Sequence, residues 1–148
     1  MSTDQITIPA GSLVFHEEDN VDAVFLVKSG RVLVVKEYQG RFYPLKIASA
    51  QGFLAETTAN SSTSQVGTTA ITLEDSVLIP ISKKDFESFI KTAPQWVGDL
   101  MKNFCERVAH AQELIAEHKI FDESLAKGFS FDSEKELFIR KLIKEHRS

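Results

Sequence analysis

The chain has 148 residues, a length suited to one domain, of which 43% are hydrophobic, 26% are charged and 11 are phenylalanine. Its net charge of −4 and the lack of any dense basic block argue against DNA as a partner, and no apolar run approaches the roughly 18 residues that a membrane span needs. The single cysteine, Cys105, excludes an internal disulfide and fits a reducing cytoplasm, and the opening Met-Ser-Thr-Asp-Gln has no features of a secretory signal.

Ile6, Ile8, Pro9-Ala10-Gly11 and Leu13-Val14-Phe15 read as strand, turn, strand. After the polar stretch His16–Asn20, Ala23 to Lys28 is too short for a helix and rich in strand formers. Ser29-Gly30 makes a tight turn into the β-branched run Arg31 to Glu37, and Tyr38-Gln39-Gly40-Arg41 turns again into Phe42 to Ala48. Strands separated by turn signals every 8–12 residues or so predict a sandwich or small barrel.

Phe53 to Ile81 is the stretch around which the chain is organised. Glu56 opens a hydroxyl-rich loop from Thr57 to Ser64. A strand from Gly67 to Leu73, a Glu74-Asp75 turn and a strand from Val77 to Ile81 follow. A strand running into a short helical turn and loop, with N–H groups facing inward, suits a phosphate cradle. The same hydroxyls equally suit a solvated surface loop.

The character changes at Ser82, which caps a short helix whose apolar face is Phe86, Phe89 and Ile90. A long helix is predicted from about Pro94 to His118. Val97, Met101, Phe104, Val108, Ala111 and Ile115 recur at four, three, four, three, four, a heptad seam that predicts a homodimer through this helix. Leu100 and Leu114 widen the stripe and are expected to face the chain's own barrel. Beyond a connector around Asp122 to Phe131, Ser133-x-x-Glu136 opens a last helix to His146, with Leu137, Phe138, Ile139, Leu142 and Ile143 as its apolar face. That helix is expected to dock on the barrel. The expected layout is a β unit over 1–91, a dimerisation or lid helix over 92–120, and a connector with an amphipathic helix over 121–148.

This ordered set resembles the cyclic-nucleotide-binding domain of catabolite-activator-type regulators, cyclic-nucleotide-dependent kinases and cyclic-nucleotide-gated channels. Pro9 to Phe15 is similar to the family's opening strand pair, and Ala23 to Val32 to its strand-Gly-strand hairpin. Leu54-Ala55-Glu56 sits where the family has Phe-Gly-Glu, and Thr72 to Leu78 is similar to the strands closing the phosphate-binding cassette. The implied fold is mainly β with α, an antiparallel β jelly roll followed by a short helix, a long helix and a final amphipathic helix. The resemblance implies cAMP or cGMP as ligand, with Leu54, Ala55 and Glu56 at the cassette entrance and Glu56 on the ribose. It assigns the phosphate cradle to Thr57, Ser64, Gln65, Val66, Gly67 and Thr68, and base contacts to Ala111 and Gln112.

The family's phosphate arginine is missing, for its place falls on Gln65 or Val66, and no Arg or Lys lies between Lys46 and Lys83. Such a bond contributes about 1.5–3 kcal/mol, so its loss weakens binding roughly ten- to a hundred-fold. Ala55 replaces the cassette glycine, and Glu18 stands where a turn glycine is common. Two readings remain. One is a degenerate regulatory domain serving as a dimerising scaffold for a separate effector protein; the other is a low-affinity cyclic-nucleotide or other small-ligand sensor. An enzyme is disfavoured. Only His16 of four histidines lies in the β region, so no metal site is expected, and no cofactor or nucleophile motif occurs.

Overall fold

The computed structural model describes residues 4–56, 65–118 and 133–147. Among the described residues, eight strands and three helices follow in chain order. The strands are β1 (Ile6–Ile8), β2 (Leu13–Phe15), β3 (Ala23–Ser29), β4 (Val32–Tyr38), β5 (Arg41–Ala48), β6 (Phe53–Leu54), β7 (Thr69–Thr72) and β8 (Ser76–Ser82). The helices are α1 (Lys83–Thr92), α2 (Gln95–Glu117) and α3 (Ser133–Arg147). The strands form two antiparallel four-stranded sheets, ordered β1-β8-β3-β6 and β2-β7-β4-β5, as a jelly roll requires.

The chain repeatedly changes sheets, and this corrects one local expectation. Ser29-Gly30 does not close a hairpin, because β3 lies in the first sheet and β4 in the second. Gly30, at φ +95°, turns a corner between them. Tyr38–Arg41 does close a hairpin, with Gln39 and Gly40 both at positive φ.

β4 explains its own composition. Val32 and Val34 join the interior cluster with Val27, Leu45, Leu54 and Leu78. Leu33 and Val35 join an outer cluster with Phe42, Ile71, Ile139 and Ile143. A strand covered on both faces reads as an unbroken apolar run rather than an alternation. Its outer cover is α3, which docks on the second sheet through Ile139 and Ile143, with Leu142 half-buried. Arg140 lies over the Phe42 ring, 5.0 Å from its centroid. Leu137 and Phe138, expected on the same face, are 65% and 45% exposed, because Leu137 lies across the helix from the docked side and Phe138 on its flank, with its ring beside Gly11. The buried carboxylate of Glu136 binds Arg41 at 3.1 Å and Arg140 at 2.9 Å. The expected connector around 122–131 lies outside the described residues.

Ser82 caps α1 as expected, its hydroxyl accepting from Asp85 N–H at 3.0 Å. Phe86 packs on Val24 and Cys105, whereas Phe89 is exposed. In α2, Cys105 and Ala116 are buried and Ile115 packs against the interior cluster. Met101 is half-buried over the first sheet. Leu100 and Leu114 do not face the barrel; both are exposed, beside exposed Phe104, Val108 and Ala111. The stripe thus divides, with Met101, Cys105, Ile115 and Ala116 turned inward and Leu100, Phe104, Val108, Ala111 and Leu114 turned to solvent.

Candidate functional site: the cassette between β6 and β7

β6 delivers Glu56 through Ala55, which sits at φ +61°. That is left-handed backbone, where glycine is the least costly residue, so the position's demand for glycine is real although alanine fills it. Glu18 likewise adopts φ +74°. The Ala55 methyl group is buried among the interior residues.

Glu56 does not stand alone. Its Oε1 accepts from Lys46 Nζ at 2.9 Å, and the same ammonium donates to Phe53 O at 2.9 Å. Lys46 reaches inward because β5 carries a bulge. The register runs Val34 opposite Lys46 and then Val35 opposite Pro44, so Leu45 is the extra residue. Lys46 therefore shares a face with Val34, and Leu45 lies in the interior beside it. From β4, simple alternation puts Lys36 on the face of Val32 and Val34. Its ammonium donates to Gly67 O at 2.8 Å. No lysine or arginine occurs in the cassette itself, yet two ammonium groups come to its margins from neighbouring strands. Alternation along β4 would have found Lys36; nothing in the sequence marks the bulge that turns Lys46.

The far side of the cassette is tied to the 16–20 loop. Val66 N–H donates to Asp19 O at 3.0 Å, and Glu18 N–H donates to Val66 O at 2.8 Å. Gln65 forms an isolated bridge with Asn20. Asp19 Oδ2 accepts from His16 N–H at 2.9 Å and lies 3.0 Å from His146 Nε2 of α3. Of the cradle residues inferred from sequence, Val66 and Thr68 are buried and Gly67 is exposed. Thr57 and Ser64 lie outside the described residues. Leu54 pairs with Phe25 and is wholly buried in the interior cluster. Ala111 is exposed on the outer stripe of α2, and Gln112, one residue on, is half-buried.

Glu17 borders the same region. Its Oε1 accepts from Glu37 N–H at 2.6 Å. Burial pushes its carboxyl above the ordinary 4.5, against the opposing pull of that hydrogen bond and of Lys36. A raised carboxylate pKa favours the protonated folded state, so this group's contribution to stability is full below the unfolded value and falls as pH rises through the folded one. Glu17→Gln keeps the acceptor for Glu37 N–H. The wild type is expected to lose stability relative to this variant as pH rises from 4.5, with the difference level above the raised pKa; paired thermal melts across that range check it.

α2 closes on the cassette from outside, where Cys105 Sγ donates to Glu56 O at 3.1 Å. Around that contact lies a cavity of about 230 Å3 between the first sheet and the helices. Val24 and Ile81 form its floor, Phe86 one wall, and Met101, Cys105 and Val108 the roof. Phe53 and Phe104 stand at its rim, and Glu56 is its one charged lining residue. Among the described residues no cluster of His, Cys, Asp and Glu could hold a metal ion, and no helix is long and apolar enough to cross a membrane.

Two sheets wound as a jelly roll, a cassette led by an acid, and a long helix closing over it find their counterpart in one family. The model of the cyclic nucleotide-binding domain matches residues 5–93. The chain belongs to the cyclic nucleotide-binding domain family. No curated protein matches the sequence significantly. Among solved structures, the domain is similar to an EAL enzyme in its cAMP-bound form, with TM-score 0.69 and 22% identity over 79% of this chain. The chain spans 31% of that enzyme's length. It is also similar to the Thermus thermophilus catabolite activator protein, with TM-score 0.63 and 20% identity over 78% of this chain and 55% of the activator. The sensor domain of the transcriptional regulator DNR from Pseudomonas aeruginosa superposes with TM-score 0.60 and 19% identity, over 72% of this chain and 69% of that one. At such identities the likeness concerns the fold.

Proposed function

We propose that this domain is a non-enzymatic regulatory module that dimerises through the outward face of α2 and serves as a scaffold for a separate effector protein in the cytoplasm. In this reading its cassette no longer takes cyclic monophosphates with the affinity of a complete family site. The observation that carries this reading is the pairing of Glu56. The acid that the family directs at the ribose already holds Lys46 at 2.9 Å, so a nucleotide must compete with an ion pair for it. One further cradle donor, Val66 N–H, is bonded to Asp19 O. The absent arginine removes a charge-assisted bond of about 1.5–3 kcal/mol from the phosphate. The dimer is supported by the apolar face of Leu100, Phe104, Val108 and Leu114, all exposed in the single chain, of which Phe104 and Val108 belong to the heptad seam.

A second reading, a low-affinity sensor of cAMP or cGMP, is favoured by the ammonium groups of Lys36 and Lys46. If Lys46 exchanged Glu56 for a phosphate, it would supply the missing cation from the strand rather than the cassette. Calorimetric titration with cAMP and cGMP to millimolar concentration separates the two. The scaffold reading expects no saturable heat from the folded wild type. Saturable binding that is lost in both Glu56→Ala and Lys46→Ala would establish the sensor in its place.

A further inference from the structure

We propose that α3 is a latch whose docking is coupled to the cassette through Asp19, so that each responds to the other. Asp19 is bonded on two sides. On one side its backbone oxygen accepts from Val66 N–H at 3.0 Å, at the exit of the cassette, and Glu18 N–H beside it donates to Val66 O at 2.8 Å. On the other side its Oδ2 lies 3.0 Å from Nε2 of His146, in the last turn of α3. A carboxylate only accepts, so the ring nitrogen is the donor. The loop between the two is stiff. Asp19 N–H donates to His16 O at 3.0 Å, Asp19 Oδ2 accepts from His16 N–H at 2.9 Å, and His16 is itself buried. Side chain and main chain of Asp19 are thereby fixed to one neighbour, and a pull on either is felt by the other.

α3 is suited to having two states. Among its described side chains, Glu136, Ile139 and Ile143 are buried and the others are half-buried or exposed. A helix of 15 residues is marginal on its own, so its order depends on its anchors. One anchor is the turn before β5, where Arg41 binds Glu136 at 3.1 Å and Arg140 donates to Gly40 O. The second is apolar, Ile139 and Ile143 on Leu33, Val35 and Phe42. The third is the contact of His146 with Asp19, a single exposed pair and the weakest of the three. Whatever takes the Val66 N–H, ligand or protein, must take it from Asp19 O, and so bears on the hold over α3. By the same linkage, undocking of α3 frees the Asp19 carboxylate and loosens Val66. The coupling does not depend on what the cassette binds, and it gives the domain an output separate from the outward face of α2.

Amide hydrogen exchange on the full chain tests this without any ligand. Arg41→Ala cuts the anchor at the opposite end of α3 from Asp19, and the arginine side chain is 69% exposed, so the fold should survive. Exchange at Val66 and Glu18 N–H is expected to quicken about three- to ten-fold, together with the amides of α3. His146→Ala is expected to act in the same way, and His146→Gln, which keeps a donor, to act less. Arg41→Ala added to His146→Ala should change nothing more at Val66, because the link is already cut. Faster exchange in α3 with Val66 and Glu18 unmoved overturns the proposal. So does a rise at those two amides no greater than that in β4 and β7, which would show a general loss of stability. Full protection of α3 in both single variants overturns it as well, because the helix would then have no second state.

Discussion

Phe104→Glu combined with Val108→Glu is expected to turn a dimer into a monomer while the fold survives. In the isolated chain the two side chains are 54% and 37% exposed, so replacing them removes little buried surface. Surface substitutions of this kind usually change stability by within about 0.5 kcal/mol, and glutamate suits a helix better than phenylalanine or valine. In a two-helix seam the same positions become core. Fully burying a large apolar side chain contributes about 1.5–3 kcal/mol, and each substitution is felt twice in a symmetric pair. The variant also brings four carboxylates into one apolar seam. A loss of at least about a hundred-fold in dimer affinity is expected, read by sedimentation velocity, with circular dichroism unchanged. A wild type that sediments as a monomer would end the dimer proposal. Met101 and Ile115 share the heptad register but pack on the chain's own sheets, so changing them would test folding instead.

The largest effect on stability is expected from Gly30→Ala. Gly30 turns the corner between the two sheets at φ +95°, where a side chain is strained whatever the space. The space is absent as well. A methyl group there would come within 2.2 Å of Ser76 Oγ and 2.7 Å of Asp75 O and Ser76 Cα. Ser76 is fully buried and its hydroxyl donates to Glu74 O at 2.8 Å, so it cannot swing aside without breaking the turn into β8. Strained backbone of this sort costs about 1–3 kcal/mol before any clash is counted. A total above about 4 kcal/mol, and a melting temperature lower by about 10 °C or more, is expected. Gly67→Ala is the control. A methyl group there would meet only the end of the Lys36 side chain, at 3.6 Å, and the melting temperature should barely move.

These glycines show what was legible in the sequence. Most of the longer strands of the jelly roll announced themselves by apolar, often β-branched runs between turn residues, and β4 did so most strongly because both its faces are covered. Two left-handed positions could be located too, since Glu18 and Ala55 stand where a glycine is usual and both adopt positive φ. What the sequence could not convey was partnership. The Ser29-Gly30 turn looks like a hairpin in one dimension, and only the sheet order shows a corner. Heptad spacing marked α2 as amphipathic, but a stripe wide enough for two faces does not say which residues turn inward; Leu100 and Leu114 went the other way. At the cassette, a search for a cation within the loop missed Lys36 and Lys46, which come from 31 and 10 residues away from their partners Gly67 and Glu56.

The bulge at Leu45 has a further meaning for how such a site changes over time. In an unbroken strand opposite β4, alternation would put Lys46 on the α3 side and leave Glu56 without its counter-charge. The pairing of acid and ammonium is therefore encoded by the place of the bulge as much as by residue type. Without Leu45, Lys46 would still follow Pro44 into the place opposite Val34, whereas the same residues with the bulge moved past Lys46 would set it opposite Leu33 and disarm the pair with every side chain of the cassette unaltered. Comparison of related domains by residue identity alone would overlook such a shift, because what toggles this cation is the position of a bulge.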